Sequence, residues 1–256
     1  MAWSDIARVE FFHLQVLRLL ATGPIKSHFA LKGGCNLRFF FGSFRCSEDM
    51  DLDVSQSLET HILREKLGQI LAGPALAAAL RAAALEITRV SAPKQTETTQ
   101  RWKIGLHARA SGSLPLHTKV EFSRRPTREE AVLEAVSSDV LAEHRMQPLL
   151  VRHYPLAAAL RQKVGALVGR TVVQARDVFD IALLLARAGR GAQDALRSER
   201  VRLLQAAERA MEVTVDEFQS QVVAFLDPAH ADMYAARDAW NVLQAQVVDE
   251  LERAAS

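Results

Sequence analysis

The sequence predicts an α+β fold: helices and strands mix over residues 1–150, and an all-helical domain follows over residues 151–256. Three observations carry this reading. Apolar residues recur at the helical period at both ends of the chain, they alternate with polar residues at period two in the middle, and no strand pattern returns after Pro155. With 256 residues the chain can bury a substantial core in one large domain or two modest ones.

Ser4 is placed to cap a first helix whose apolar stripe runs through Ile6, Val9, Phe12, Leu14, Leu17 and Leu20, and Thr22-Gly23-Pro24 stops it. The apolar segment Phe29 to Leu31 runs into Lys32-Gly33-Gly34, after which Cys35 to Phe41 reads as a short buried helix ended by Gly42-Ser43. Met50, Leu52 and Val54 alternate with Asp49, Asp51 and Asp53, the period of a strand with one apolar and one acidic face. Helices follow over Leu58 to Leu71 and Pro74 to Ala83, then strands over Leu85 to Val90, Arg101 to His107 and Leu116 to Phe122. Beyond Pro155, helices are predicted over Ala157 to Val168, Val172 to Ala188, Ala192 to Val213, Val215 to Leu226 and Asp232 to Arg253.

Composition excludes several classes. No stretch approaches the roughly 20 apolar residues needed to cross a bilayer, and Asp5, Arg8 and Glu10 interrupt the N-terminus where a secretory signal would be apolar. Two cysteines, Cys35 and Cys46, suit a reducing cytoplasm, which is the expected location. The histidines lack zinc spacing. A net charge of +2 does not announce a nucleic-acid binder, although Arg124, Arg125 and Arg128 form one local basic group and Arg161, Lys163, Arg170 and Arg176 another.

Residues i and i+2 of a strand point to one side, so Asp49 and Asp51 can share a cation, with Asp53 one step further along. Magnesium favours a few carboxylates completed by phosphate and water, and manganese is an alternative. Gly33-Gly34 lies 15 residues upstream of Asp49 (49 − 34), after a strand and at the start of a helix. Glycine lets the backbone pass close to a triphosphate, and the helix start offers free N–H groups to it. Glu121 is the candidate third carboxylate, as base or metal ligand, and Lys119 shares its face; an ordinary cross-strand ion pair is the alternative. The two runs Leu31-Lys32-Gly33-Gly34-Cys35-Asn36-Leu37-Arg38 and Arg45-Cys46-Ser47-Glu48-Asp49-Met50-Asp51-Leu52 together resemble the first motif of the AbiEii/AbiGii nucleotidyltransferase toxins. That group belongs to the DNA polymerase β-like nucleotidyltransferase superfamily. Lys119-Val120-Glu121 resembles the second motif, and Lys163 to Leu167 and Arg176 to Ile181 resemble the third and fourth.

The resemblance implies a nucleotidyltransferase mixed-sheet core with flanking helices, then a helical domain closing the active-site cleft. It implies Asp49 and Asp51 as metal ligands, Lys163 as a triphosphate contact, and Asp177 or Asp180 as an essential acid; for Asp180 an ordinary inter-helix ion pair is an equal alternative. It further implies an NTP substrate, an RNA acceptor with the tRNA 3′ acceptor end as the leading case, a block of translation, a separate cognate antitoxin and a role in phage defence. The expected nucleotide-binding set is Lys32, Gly33, Gly34, Cys35, Asn36, Arg45, Ser47 and Lys163, with no membrane partner. Cys35 stands where the family commonly has Ser or Thr, and a thiol donates weakly, which moves phosphate contact toward backbone N–H groups and Asn36. Arg45 is equally suited to a phosphate contact or to bracing its loop. Ser47, two residues before Asp49, is a candidate silencing phosphosite. A protein or small-molecule hydroxyl as acceptor, and a catalytically silent nucleotide-binding module, are the competing readings.

Overall fold

The computed structural model describes residues 3–109, 114–124, 126–127, 129–189, 191, 196, 199–226 and 228–256. The chain forms two compact units, one of Met1–Phe40 with Cys46–Tyr154 and one of Phe41–Arg45 with Pro155–Ser256. Arg125 and Arg128 of the first basic group, and much of the N-terminal part of the predicted helix Ala192 to Val213, lie outside the described residues.

The first unit is built on a seven-stranded mixed sheet in the order β3-β4-β5-β2-β1-β7-β6. Its strands are β1 (Phe29–Lys32), β2 (Asp49–Val54), β3 (Leu85–Gln95), β4 (Thr99–Ala108), β5 (Leu116–Ser123), β6 (Val132–Ala135) and β7 (Leu150–His153). β2 runs antiparallel to β1 and parallel to β5, and β7 runs parallel to β1. The alternation of β2 sorts its side chains: Met50, Leu52 and Val54 are buried, while Asp49, Asp51 and Asp53 lie on the polar face. Val120 and Phe122 of β5 and Trp102 and Ile104 of β4 continue the apolar face, and each such burial contributes about 1.5–3 kcal/mol.

Helix α1 (Asp5–Thr22) covers that apolar face. Ser4 Oγ caps it by accepting from Ala7 N–H at 3.2 Å, and Phe12, Leu14, Val16, Leu17 and Leu20 are wholly buried. Helix α2 (Gly33–Phe41) follows β1 directly, and α3 (Thr60–Ala72) and α4 (Pro74–Ala82) pack beside α1. Two strands and one helix, β6, β7 and α5 (Ser138–Glu143), were not expected from the sequence. Neither four-residue strand carries an apolar run like that of β1, and β7 exists through its pairing with β1 and β6. The β3–β4 hairpin is longer than expected because two irregularities, between Ile87 and Arg89 and between Ser91 and Lys94, break the alternation without ending the pairing.

The second unit is helical, with α6 (Leu156–Gly169), α7 (Ala175–Ala188), α8 (Arg200–Met211), α9 (Val215–Gln221), α10 (Pro228–Tyr234) and α11 (Arg237–Ala255). Thr214 and Glu217 form a reciprocal capping box on α9. The predicted helix Val215 to Leu226 breaks at Val222 (φ −120°, ψ −63°) and continues only as a 3₁₀ turn, Val223–Phe225. Phe218 stacks on the buried Trp240 with ring centroids 4.5 Å apart, and Phe179 closes the aromatic cluster. Among the described residues no helix is long and apolar enough to cross a membrane.

Candidate active site

The acidic face of β2 meets cations on both sides. In register, Lys32 of β1 lies opposite Asp51, Asp51 opposite Glu121 of β5, and Glu121 opposite Arg101 of β4. Lys119 Nζ pairs with Asp49 Oδ2 at 2.9 Å, and Arg101 Nε donates to Glu121 Oε2 at 2.5 Å. Asp53 is held structurally: Lys32 Nζ pairs with one oxygen and Tyr154 Oη donates to the other at 2.8 Å. Burial, with Asp53 beside it, raises the Tyr154 pKa and keeps the phenol protonated for that donation.

Asp51 is different. Its carboxylate makes no hydrogen bond or ion pair with any described residue, although Lys119 and Lys32 are near enough to stabilise its charge. Burial raises its pKa, and these two cations only partly oppose that. It lies against Gly33, which takes φ +69°; a Cβ there would stand 3.2 Å from Asp51 Oδ2. Only glycine adopts this conformation cheaply and leaves that space. A mostly buried carboxylate with no partner, next to Asp49 and facing a glycine turn that opens a helix, fits a hard divalent cation. Asp49, Asp51 and Glu121 share one face, but their oxygens do not all lie within 4.8 Å of one another.

The remaining residues expected at the nucleotide are placed as follows. Gly34 lies in the first turn of α2. Cys35 is buried, its thiol pKa raised by that burial, and its Sγ donates to the Asp49 carbonyl at 3.4 Å. Asn36 is also buried: its Nδ2 donates to the Tyr154 carbonyl at 2.9 Å and its Oδ1 lies 2.8 Å from His153 Nδ1, so it braces α2 against β7. Ser47 Oγ donates to the same Asp49 carbonyl at 2.8 Å. Beneath them lies a residue that the sequence did not single out. Thr118 Oγ1 donates to the Glu48 carbonyl at 2.7 Å and therefore accepts from His13 Nε2 at 2.6 Å, which leaves His13 Nδ1 bare toward Cys35 Sγ at 3.7 Å. Burial brings the His13 pKa down to about 4, so the ring is neutral at neutral pH. His13 sits within an apolar helix stripe, and only the pairing of β5 with β2 reveals its partner.

The second unit carries its own charge network. Lys163 of α6 lies 3.2 Å from Asp177 Oδ1 and 2.6 Å from Asp180 Oδ2. Both acids belong to α7 and are fully buried. Arg45 Nη2 donates to both oxygens of Asp180 at 3.0 and 3.2 Å, and Arg170 Nε donates to Asp177 at 2.5 Å. Burial would raise the Asp180 pKa, but Arg45 and Lys163 outweigh it and hold it low. Among the described residues three cations thus surround two carboxylates, an excess of one positive charge. Arg45 serves in this network as the brace of its segment.

Among the described residues one group of three ligand-type side chains converges within 4.8 Å: Glu10, Glu143 and His144. Its acids are already engaged. Arg38 donates to both oxygens of Glu10 at 2.9 and 3.3 Å and to Glu143 at 2.6 Å, and His144 lies 2.9 Å from Glu10. Burial would raise the Glu10 pKa, but these partners bring it down to about 2. A guanidinium already occupies the cationic role there, so the group reads as a structural ion-pair cluster.

The model of the nucleotidyl transferase AbiEii toxins, of type IV toxin–antitoxin systems, matches residues 15–253. The chain belongs to this family. It is an AbiEii-type nucleotidyltransferase, an enzyme that uses an NTP. Two solved structures share the fold of this AbiEii member. JHP933 from Helicobacter pylori superposes with a TM-score of 0.60 at 15% identity, covering 99% of this chain and 96% of its own. MenT4, a nucleotidyltransferase toxin from Mycobacterium tuberculosis H37Rv, superposes with a TM-score of 0.60 at 17% identity, covering 98% and 92%. No curated protein matches this chain.

Proposed function

We propose that the chain is a magnesium-dependent toxin that transfers a nucleoside monophosphate from an NTP to an RNA hydroxyl, at the tRNA 3′ acceptor end, and so blocks translation in the cytoplasm. The observation that carries this reading is Asp51, unpartnered beside Asp49 and against the Gly33 turn that opens α2. In the reaction the acceptor oxygen attacks the α-phosphorus, the bond to the bridging oxygen breaks, and pyrophosphate leaves. A divalent cation held by Asp49 and Asp51 would offset charge on the triphosphate oxygens. Glu121, on the same face, is assigned either the acceptor proton or a share of the cation. Backbone N–H groups of Gly33 and Gly34 are assigned to phosphate, as the first turn of α2 offers donors with no intrahelical partner. Lys163 is assigned to the phosphates and Asp177 and Asp180 to holding its ammonium; the family resemblance supports this, as does the net positive charge of their network. Family membership also supports a cognate antitoxin as partner.

The test incubates the protein with magnesium, each α-labelled NTP in turn and total RNA. Label in small RNA, lost without magnesium and in Asp51→Asn, supports the proposal. NTP binding with no label in any RNA refutes the RNA acceptor, and label in protein or small molecules would replace it.

A further inference from the structure

The polar face of the sheet continues beyond the carboxylates. Lys119 lies opposite Lys103 of β4, and Lys103 opposite Ser91 of β3. One row along, Arg101 lies opposite Lys94, and one row the other way Arg89 lies opposite Gly105, whose missing side chain leaves room for the Arg89 stem. Five cations, Arg89, Lys94, Arg101, Lys103 and Lys119, therefore share one face of β3–β5. The acids on that face are Glu121, paired with Arg101, and Glu86 at the far end, paired with Arg109. Arg89, Lys94 and Lys103 are exposed and make no ion pair with a described residue. Neighbouring positions lie about 5 Å apart across strands and about 7 Å apart along them. In the sequence these residues are merely alternate polar positions of three strands, and the chain's net charge of +2 conceals them.

We propose that this face is the track for the acceptor's phosphodiester backbone, leading a single-stranded RNA 3′ end to Asp49 and Asp51. The inference rests on the RNA-transfer reading above and deepens it. A nucleic acid is favoured over an acidic protein because the track ends beside the carboxylates that carry the transfer. The acceptor must deliver a hydroxyl there, and a nucleic acid carries its terminal hydroxyl at the end of a phosphate chain. Apart from the imidazoles of His107 and His117, this face of β4 and β5 presents no aromatic ring, since Trp102 and Phe122 point into the core. Recognition is therefore of backbone rather than stacked bases, and tolerant of sequence.

The test compares the full chain with the triple variant Arg89→Gln/Lys94→Gln/Lys103→Gln and with an off-track control, Lys26→Gln/Arg64→Gln/Arg81→Gln. Binding of a 15-nucleotide single-stranded oligoribonucleotide is measured over a salt series, alongside binding of the magnesium–NTP complex and thermal melting; Lys94→Gln/Lys103→Gln substitutes if the triple variant melts early. Single-stranded contacts each contribute about 0.7 to the slope of log affinity against log salt. The triple variant is expected to lose about 2 from that slope and about tenfold or more in RNA affinity at low salt, with NTP binding unchanged and the control like wild type. Equal affinities and slopes for wild type and triple variant overturn the track even if RNA is labelled. Wild-type protein that binds polyglutamate but not the RNA overturns it too. RNA binding that follows the track without any RNA labelling upholds the track and refutes the transfer reading.

Discussion

Removing the Asp180 carboxylate gives the sharpest stability prediction. Asp180 is fully buried and holds two cations, Arg45 through both oxygens and Lys163 at 2.6 Å. Asp180→Ala removes both oxygens to which Arg45 Nη2 donates, from a side chain that is 6% exposed, and takes from Lys163, 12% exposed, the closer of its two carboxylates. Breaking a buried pair from one side costs about 3–5 kcal/mol, because the surviving charge stays desolvated with its carboxylate gone. Total stability in domains is about 5–15 kcal/mol, so the loss is a large fraction of what holds the second unit. Urea unfolding, followed by Trp240 fluorescence with Trp3 and Trp102 changed to Phe, reports on that unit. The folded pKa of Asp180 is depressed, so its contribution is full above the ordinary value of 3.8 and fades as pH falls through the folded value. Wild type and variant should therefore converge in strong acid. A loss below about 1 kcal/mol at pH 7, the range of an exposed pair, would refute the assignment of this network as buried and coupled.

Other outcomes follow from the first unit. His13 has a folded pKa of about 4 against 6.5, so the unfolded chain takes up the extra proton and stability falls as pH drops from 6.5 toward 4. Wild type should lose about 3 kcal/mol over that window relative to His13→Gln, measured by urea unfolding at each pH. Asp51→Asn should abolish transfer by more than the 10–100-fold typical of outer-shell changes at metal sites, while leaving metal-free stability equal or higher because a partly buried, unpartnered charge is removed. Gly33→Ala forces an L-residue to φ +69°, a strain of about 1–2 kcal/mol, and crowds Asp51 Oδ2; transfer should fall while the fold survives, read by labelled-NTP turnover and melting.

What the sequence revealed follows from the range of the interactions. The strand Asp49–Val54 was legible because alternation is local, and α1 and α7 were legible from the 3.6-residue period with their Ser4 and Gly189 punctuation. β6 and β7 were not: unlike the apolar run Phe29 to Leu31 of β1, Val132–Ala135 and Leu150–His153 mix apolar and polar residues over four positions, and Leu31, the β1 partner of His153, lies more than a hundred positions away. The same limit applies at the site. Arg45 meets Asp180 across 135 positions and His13 meets Thr118 across 105. In register Lys32 stands opposite Asp51, and only the side-chain contacts show that Asp53 is taken by Lys32 and Tyr154 whereas Asp51 is not. The three aspartates are equivalent in the sequence pattern and distinct only once the neighbouring strands are in place.

The most direct measurement is transfer of α-labelled nucleotide to total RNA by wild type, Asp49→Ala, Asp51→Ala and Asp53→Asn side by side with magnesium. Labelled small RNA is expected with wild type, none with the first two variants, and retained labelling with Asp53→Asn, because Asp53 serves the fold. Undiminished labelling by Asp51→Ala would contradict the proposed role of Asp51.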